Sequence, residues 1–140
     1  MANYNEKPSN AFVSQAAASV VPQSVAAAGT ATGSGWVSVK EVKWAKVTAF
    51  CGAGGGTLAV KIQQASDSSG TGVKDLITAA NLGISALDGT AKIGQADCNI
   101  DANIDVDNSF AYVRLHATVS GGSGTIVAAG LELGPAPRRA

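Results

Sequence analysis

Acidic and amide side chains alternate with apolar ones over residues 97–107, the stretch of the chain best supplied with potential oxygen ligands. Ca²⁺ takes about six to eight such ligands. An EF-hand loop starting at Asp97 would need Gly and Glu at its sixth and twelfth positions, where the chain has Ala102 and Asn108. Same-face residues on a strand are also ~7 Å apart, too far for all of them to reach one ion. We therefore expect a strand with a solvated polar face and no bound metal.

His116 is the only histidine and so the one candidate for a histidine general base. A hydrolytic triad needs a nucleophile and an orienting acid around it, and the sequence has no G-x-S-x-G elbow. We expect His116 to be an exposed strand residue. The glycine-rich stretch 52–56 is followed by Thr57 and Leu58 instead of the Lys-Ser/Thr pair of a phosphate-binding loop, which indicates a turn between strands. The sequence therefore predicts no catalytic residue and no cofactor.

Two cysteines, Cys51 and Cys98, allow at most one disulfide and are too few, even with His116, for a structural metal site. We expect both to be reduced and buried. Ten basic and ten acidic residues cancel, without a long run of either sign, which does not favour nucleic acid as a partner. No apolar run reaches the ~18 residues of a membrane helix, and residues 1–8 do not resemble a secretory signal. We expect assembly in a cytoplasm.

Apolar and polar residues alternate through most of residues 34–134, which predicts β-strands. The predicted inward residues are Ala45, Val47, Ala49 and Cys51; Leu58, Val60 and Ile62; Val113, Leu115, Ala117 and Val119; and Val127, Ala129, Leu131 and Leu133. Residues 73–82 fit either a short helix closed by Gly83 or an irregular crossover, and residues 90–106 fit one or two strands. Seven or eight strands about ten residues apart, joined by Gly-rich turns, predict an all-β antiparallel β-sandwich or jelly roll.

Residues 1–33 differ from this body, because they are rich in Ala, Ser, Gln and Asn and contain only two charged side chains, Glu6 and Lys7. We expect an N-terminal arm, extended or partly helical, that becomes ordered on a partner. A helix at residues 14–19 and a strand at Val20–Val25 both fit its middle. The body then covers residues 34–134, and a tail covers residues 135–140. Pro135 and Pro137 predict that no central strand continues from Gly134 onward.

Residues 56–65, 67–75 and 105–115 resemble small structural proteins of tailed bacteriophages. The resemblance covers about residues 36–133 and consists of strand and turn residues. It implies a jelly-roll head decoration, or cement, protein, which sits on the outside of the capsid, often as a homotrimer, and ties neighbouring major capsid subunits together. The expected location is the virion exterior, after assembly in the host cytoplasm.

Apolar side chains of the arm and of the first strands are the residues we expect to contact the major capsid protein or other copies of the chain. They are Tyr4, Phe12, Val20, Val21, Val25, Trp36 and Trp44. Two other functions fit the same residues. One is a tail, neck or fibre component with the same fold. The other is a carbohydrate-binding module on a particle, with Trp36, Trp44 or Tyr112 stacking on sugar.

Overall fold

A computed structural model describes residues 12–26, 28–88, 93–122 and 125–135. In these residues the strands, in chain order, are β1 (Val13–Ser14), β2 (Val20–Val25), β3 (Thr30–Thr32), β4 (Val37–Ser38), β5 (Val42–Cys51), β6 (Thr57–Ala65), β7 (Lys74–Ile77), β8 (Leu87–Asp88), β9 (Ile93–Asn99), β10 (Tyr112–Ser120) and β11 (Thr125–Pro135). Two one-turn helices, α1 (Ala79–Leu82) and α2 (Ile100–Asn103), lie between strands. The strands form two antiparallel sheets, so the predicted all-β sandwich is confirmed.

Sheet A has the order β9, β5, β11, and both β1 and β2 pair with the far side of β11. In sheet B, β10 lies between β6 on one side and β3 and β4 on the other, while β7 and β8 pair with the outer side of β6. The chain crosses repeatedly between the sheets, and its first strands lie beside its last. This is the strand order of a jelly roll.

The core between the sheets is aliphatic and built partly from small side chains. All fifteen inward residues predicted for β5, β6, β10 and β11 are buried, Leu133 with 4% of its surface exposed and the others with at most 2%. Alternation predicts them correctly because each strand has one face toward the other sheet. None of the helices among the described residues has the length and apolarity needed to cross a membrane.

The prediction of an arm separate from the core is wrong for the described part of residues 1–33. β1 and β2 extend sheet A, and β3 extends sheet B. A 3₁₀ turn at residues 16–18 connects the first two, where Ser19 Oγ donates to the Gln15 carbonyl and accepts from the Leu131 N–H. Ala18, Val20, Val25 and Ala31 are all buried. Small residues are suited to this position because they fit a thin layer beside β11.

The predicted polar strand over residues 97–107 ends at Asn99, so the prediction is wrong beyond that residue. The Asn99 side chain accepts from the Ala102 N–H and caps α2, and Asp105 accepts from the Asn108 N–H to cap a 3₁₀ turn at residues 106–108. Asn and Asp offer the backbone these local hydrogen bonds in place of strand pairing. Val106, one of the apolar residues of the alternating stretch, is therefore 70% exposed.

Residues 73–82 combine parts of the two structures that the sequence left open. Lys74–Ile77 pair with β6 as a strand, and α1 follows with Thr78 as its N-cap. Gly83 ends the helix at φ 92°, in the left-handed region that favours glycine.

The prediction that no central strand continues from Gly134 is also wrong. β11 runs through Gly134 to Pro135, which is opposite Val42 after a shift in register. Proline is tolerated at such irregularities because the regular ladder does not need its missing N–H there.

Candidate functional site

His116 lies on the outer face of sheet B, opposite Lys61 of β6 and Thr32 of β3. Its side chain is half-buried, which corrects the expectation of an exposed residue, and Nδ1 is buried without a hydrogen-bond partner among the described residues. Burial lowers the pKa of His116, and the charges of Lys61 and Arg114 lower it further, whereas the smaller effect of Asp75 raises it. A carboxylate orienting a catalytic histidine would have the opposite net effect, because it stabilises the imidazolium.

Trp36 is already engaged within the chain. The guanidinium carbon of Arg114 lies 4.4 Å from the centroid of its ring, and Arg114 Nε also donates to Gln63 Oε1 at 2.9 Å. A Cβ placed on Gly70 would come within 2.6 Å of the indole nitrogen, so the loop backbone contacts the ring edge. Trp44 lies on the outer face of sheet A, whereas Tyr112 lies on sheet B. The structure therefore does not bring Trp36, Trp44 and Tyr112 together on one face.

The predicted contact residues divide between core and surface. Tyr4 lies outside the described residues. Val20 and Val25 are buried in the chain's own core, so their prediction as partner contacts is wrong. A register irregularity between Val127 and Ala129 changes the alternation of β2, which lets both valines point inward five residues apart. Val21 remains 58% exposed.

Phe12 also remains at the surface, on the outer face of sheet A. Its ring covers Gly134, where an added Cβ would lie 2.9 Å from a ring carbon. The ammonium of Lys46 lies 4.9 Å from the ring centroid. Phe12 and Trp44 are thus neighbours at one end of this face, because Trp44 is opposite Gly134 in the ladder.

A cleft of about 580 Å³ opens at one end of the sandwich, beside α2 and the 3₁₀ turn. Its walls combine apolar side chains, such as Ile104 and Phe110, with the acids Glu41, Asp67 and Asp101. Asp67 Oδ1 accepts from the Ser69 and Thr71 N–H groups, and Oδ2 accepts from the Thr71 hydroxyl; these bonds lower the pKa of Asp67. This carboxylate shapes its own loop. No group of three or more His, Cys, Asp or Glu in the described ranges is placed to hold a metal ion.

Cys51 and Cys98 are free and buried, as predicted. Burial raises the pKa of the Cys98 thiol to about 11. The pKa of Cys51 is also raised, by burial and by the charge of Asp88. Both thiols therefore stay protonated near neutral pH, which removes the nucleophilic form.

The most distinctive surface is an apolar patch on the outer face of sheet A, formed by Pro22, Phe50, Ile93, Ile126 and Ala128. Register places Ile93, Phe50 and Ala128 side by side on β9, β5 and β11. Phe50 is 45% exposed, Ile93 59% and Ile126 60%. Contiguous apolar surface of this kind marks contact sites for other macromolecules.

Small and charged residues continue the same face toward Phe12. Along β5 from Phe50, the next outward residue is Thr48, which lies opposite Gly130 of β11. The one after it is Lys46, which lies between Glu132 of β11 and Asp97 of β9. We call this last row the charged strip. The inward residues predicted for β5 leave Lys46, Thr48 and Phe50 on its outward side, whereas Ile93 and Ile126 were not among the predicted contact residues. Their outward position follows from alternation, whereas their meeting with Phe50 depends on strand order.

Neither comparison with known proteins identifies a relative: no family model matches the chain, and no curated protein matches it. In the part of the chain that the structure describes, the fold is a jelly roll, and the outer face of its sheet A carries an exposed apolar patch.

Proposed function

We propose that this chain is a structural protein of a tailed-bacteriophage particle: a head decoration protein that binds the capsid exterior and ties major capsid subunits together. The observation that carries the proposal is the apolar patch, a contact surface with three bulky side chains about half exposed. The jelly-roll strand order supports it, because this architecture recurs in viral capsid proteins. The resemblance of residues 56–65, 67–75 and 105–115 to phage structural proteins supports it independently.

The chemistry of the polar side chains agrees with a structural role. Hydrogen bonds from its own loop lower the pKa of Asp67, and hydrogen bonds from Lys74 and then from Asn108 lower the pKa of Asp105. Lys74 pairs with Asp105, and Lys61 pairs with Asp75 at 2.8 Å. These polar groups are already bonded within the chain, whereas the patch presents apolar side chains that a partner would cover.

The gain from covering the patch is modest for one copy. Fully burying an Ile or Phe side chain contributes about 1.5–3 kcal/mol, so half-exposed Phe50, Ile93 and Ile126 together offer roughly 2.5–5 kcal/mol before the cost of association. A shell that binds many copies multiplies this gain. Each copy must still offset its own cost of association, about 4–15 kcal/mol, so further contacts have to add to those of the patch.

The test follows the chain in the host that produces it. Particles are separated by sedimentation into DNA-filled heads and free tails, and the chain is quantified in each fraction with an antibody. We expect it on heads, with Phe50→Glu lowering its occupancy about tenfold or more, because a charge in a covered apolar contact is costly. Val106→Asp is the control, since Val106 is exposed in the 3₁₀ turn at residues 106–108 and does not line the patch.

Each other distribution has a definite meaning. Recovery only with free tails would support the alternative of a tail, neck or fibre component. Recovery only in the unsedimented fraction would reject the virion role.

A further inference from the structure

On the outer face of sheet A, bulky side chains on one half are complementary to small side chains on the other. On one half, β9 and β5 present Ile93 and Phe50. On the other half, Ala128 and Gly130 of β11 are small, and a Cβ on Gly130 would have only the Thr48 carbonyl oxygen within 4.0 Å. One row beyond Phe50 the sizes are reversed, because Gly52 is bonded to the backbone of Ile126. Bulky and small residues therefore alternate across the boundary between β5 and β11.

We propose that a second copy of this chain occupies the face, related by a two-fold axis that runs parallel to the strands between β5 and β11. This inference rests on the proposed function, because it names what covers the same patch while the chain is free of the capsid. The axis lays β5 of each copy over β11 of the other and keeps each residue in its own row. Phe50 then projects over Ala128 of the second copy, and Ile126 projects over Gly52. Sheets stacked face to face in this way pack about 10 Å apart.

Charge complementarity selects the same axis. Lys46 and Glu132 occupy one row on the two central strands, so the two-fold places each over its opposite charge in the other copy. An axis across the strands at the level of Phe50 would instead lay Phe50 over Phe50. It would also move Lys46 over the loop that follows β5, away from any acid of the charged strip. A contact made by a two-fold axis is isologous, and such contacts are the common basis of homodimers.

The size of the face predicts a weak pair. Four strand positions ~4.8 Å apart and about six residues of ~3.4 Å rise give a footprint of roughly 400 Å² per copy, or roughly 800 Å² in total. Stable interfaces bury about 1,200–2,000 Å² in total, so this face lies below that range. We therefore expect reversible, concentration-dependent pairing.

Analytical ultracentrifugation of the full chain tests the pairing over a concentration series up to ~0.5 mM, where a weak complex is populated. The mass is expected to rise from one copy to two. Phe50→Glu and Ile126→Asp should each raise the dimer Kd at least tenfold, while Val106→Asp leaves it unchanged. Circular dichroism confirms that each variant is folded; both substituted side chains are largely at the surface.

A mixing experiment separates a contact between copies from the pairing of Lys46 with Glu132 inside one chain. K46E alone and E132K alone each place like charges across the two-fold, so each should pair at least tenfold more weakly. In a mixture, one K46E copy and one E132K copy again oppose unlike charges at both contacts, although each chain retains like charges within itself. We expect the heterodimer to form with near wild-type affinity. If the substitutions acted only through the pairing of Lys46 with Glu132 inside one chain, mixing the two variants would not restore the affinity.

Three results would overturn the pair. They are a monomer across the whole concentration series, a trimer, and a dimer insensitive to Phe50→Glu and Ile126→Asp. A trimer, which the phage resemblance implies, cannot be built from this two-fold contact. A monomeric chain that still binds heads through the patch would reject self-pairing while leaving the proposed function intact.

Discussion

Gly33→Ala tests whether the N-terminal strands belong to the core. Gly33 is buried where the chain passes the 3₁₀ turn, and its N–H donates to the Leu115 carbonyl. A Cβ at this position would lie 2.4 Å from the Ala18 carbonyl oxygen and 2.5 Å from its carbonyl carbon. Carbon contacts are favourable at about 3.5–4.0 Å, so the backbone must move by ~1 Å. Since all three of the nearest atoms are main-chain atoms of Ala18, no side-chain rotation relieves the overlap.

We expect Gly33→Ala to lower the free energy of unfolding by about 3 kcal/mol, the upper range for overpacking. With an unfolding entropy of about 2.1 cal/mol/K per residue over this chain, that loss lowers Tm by roughly 10 °C. Calorimetry measures both quantities. Gly35→Ala is the matched control, because its Cβ would meet only Ala17, at 3.4 Å from the methyl and 3.9 Å from the carbonyl oxygen, which are ordinary contact distances. It should leave Tm unchanged or raise it slightly. Equal melting of the two variants would refute the packing of residues 16–18 against residue 33.

Three further predictions concern buried polar groups. The native pKa of His116 is held below its usual 6.5, so the unfolded chain binds the proton first and stability should fall as pH drops below 6.5. His116→Gln should weaken the dependence of the free energy of unfolding on pH, measured by urea unfolding between about pH 7 and pH 5. An unchanged pH dependence would contradict the prediction. The Cys98 thiol is buried and has a pKa of about 11 against the usual 9.0, so it should react with Ellman's reagent at least tenfold more slowly in the folded protein than in urea. Reaction at the unfolded rate would show that the thiol is accessible. Gln64 Oε1 accepts from the Asp105 N–H at 2.9 Å, so Gln64→Leu should cost about 2 kcal/mol by leaving that donor unpaired. A Tm within error of the wild type would mean that water satisfies it.

Strand periodicity was a reliable guide in the body because each strand there meets one core. The inward residues of β5 are those predicted, and Phe50 points outward as predicted. The same alternation over residues 97–107 was misleading. There Asn99 and Asp105 bond to nearby N–H groups, and those local bonds replace the ladder.

The local residue pattern could not predict contacts between segments that are distant in the sequence. The composition of residues 1–33 suggested an arm, yet Ala18 and Val20 are in the core because β2 pairs with a strand more than one hundred residues away. The contact face shows the same limit. In the sequence Phe50 and Ile93 are separate apolar residues, and only the pairing of β5 with β9 makes them neighbours.

The position of β11 between β5 and the two N-terminal strands has a consequence for biosynthesis. Until residues 125–135 leave the ribosome, β1 and β2 lack their partner and β5 has an open edge. Sheet A can therefore close only after translation of the last strand, and such long-range pairing makes folding slow, on the order of milliseconds to seconds. During that delay the unpaired edge of β5 is a template for aggregation between nascent chains.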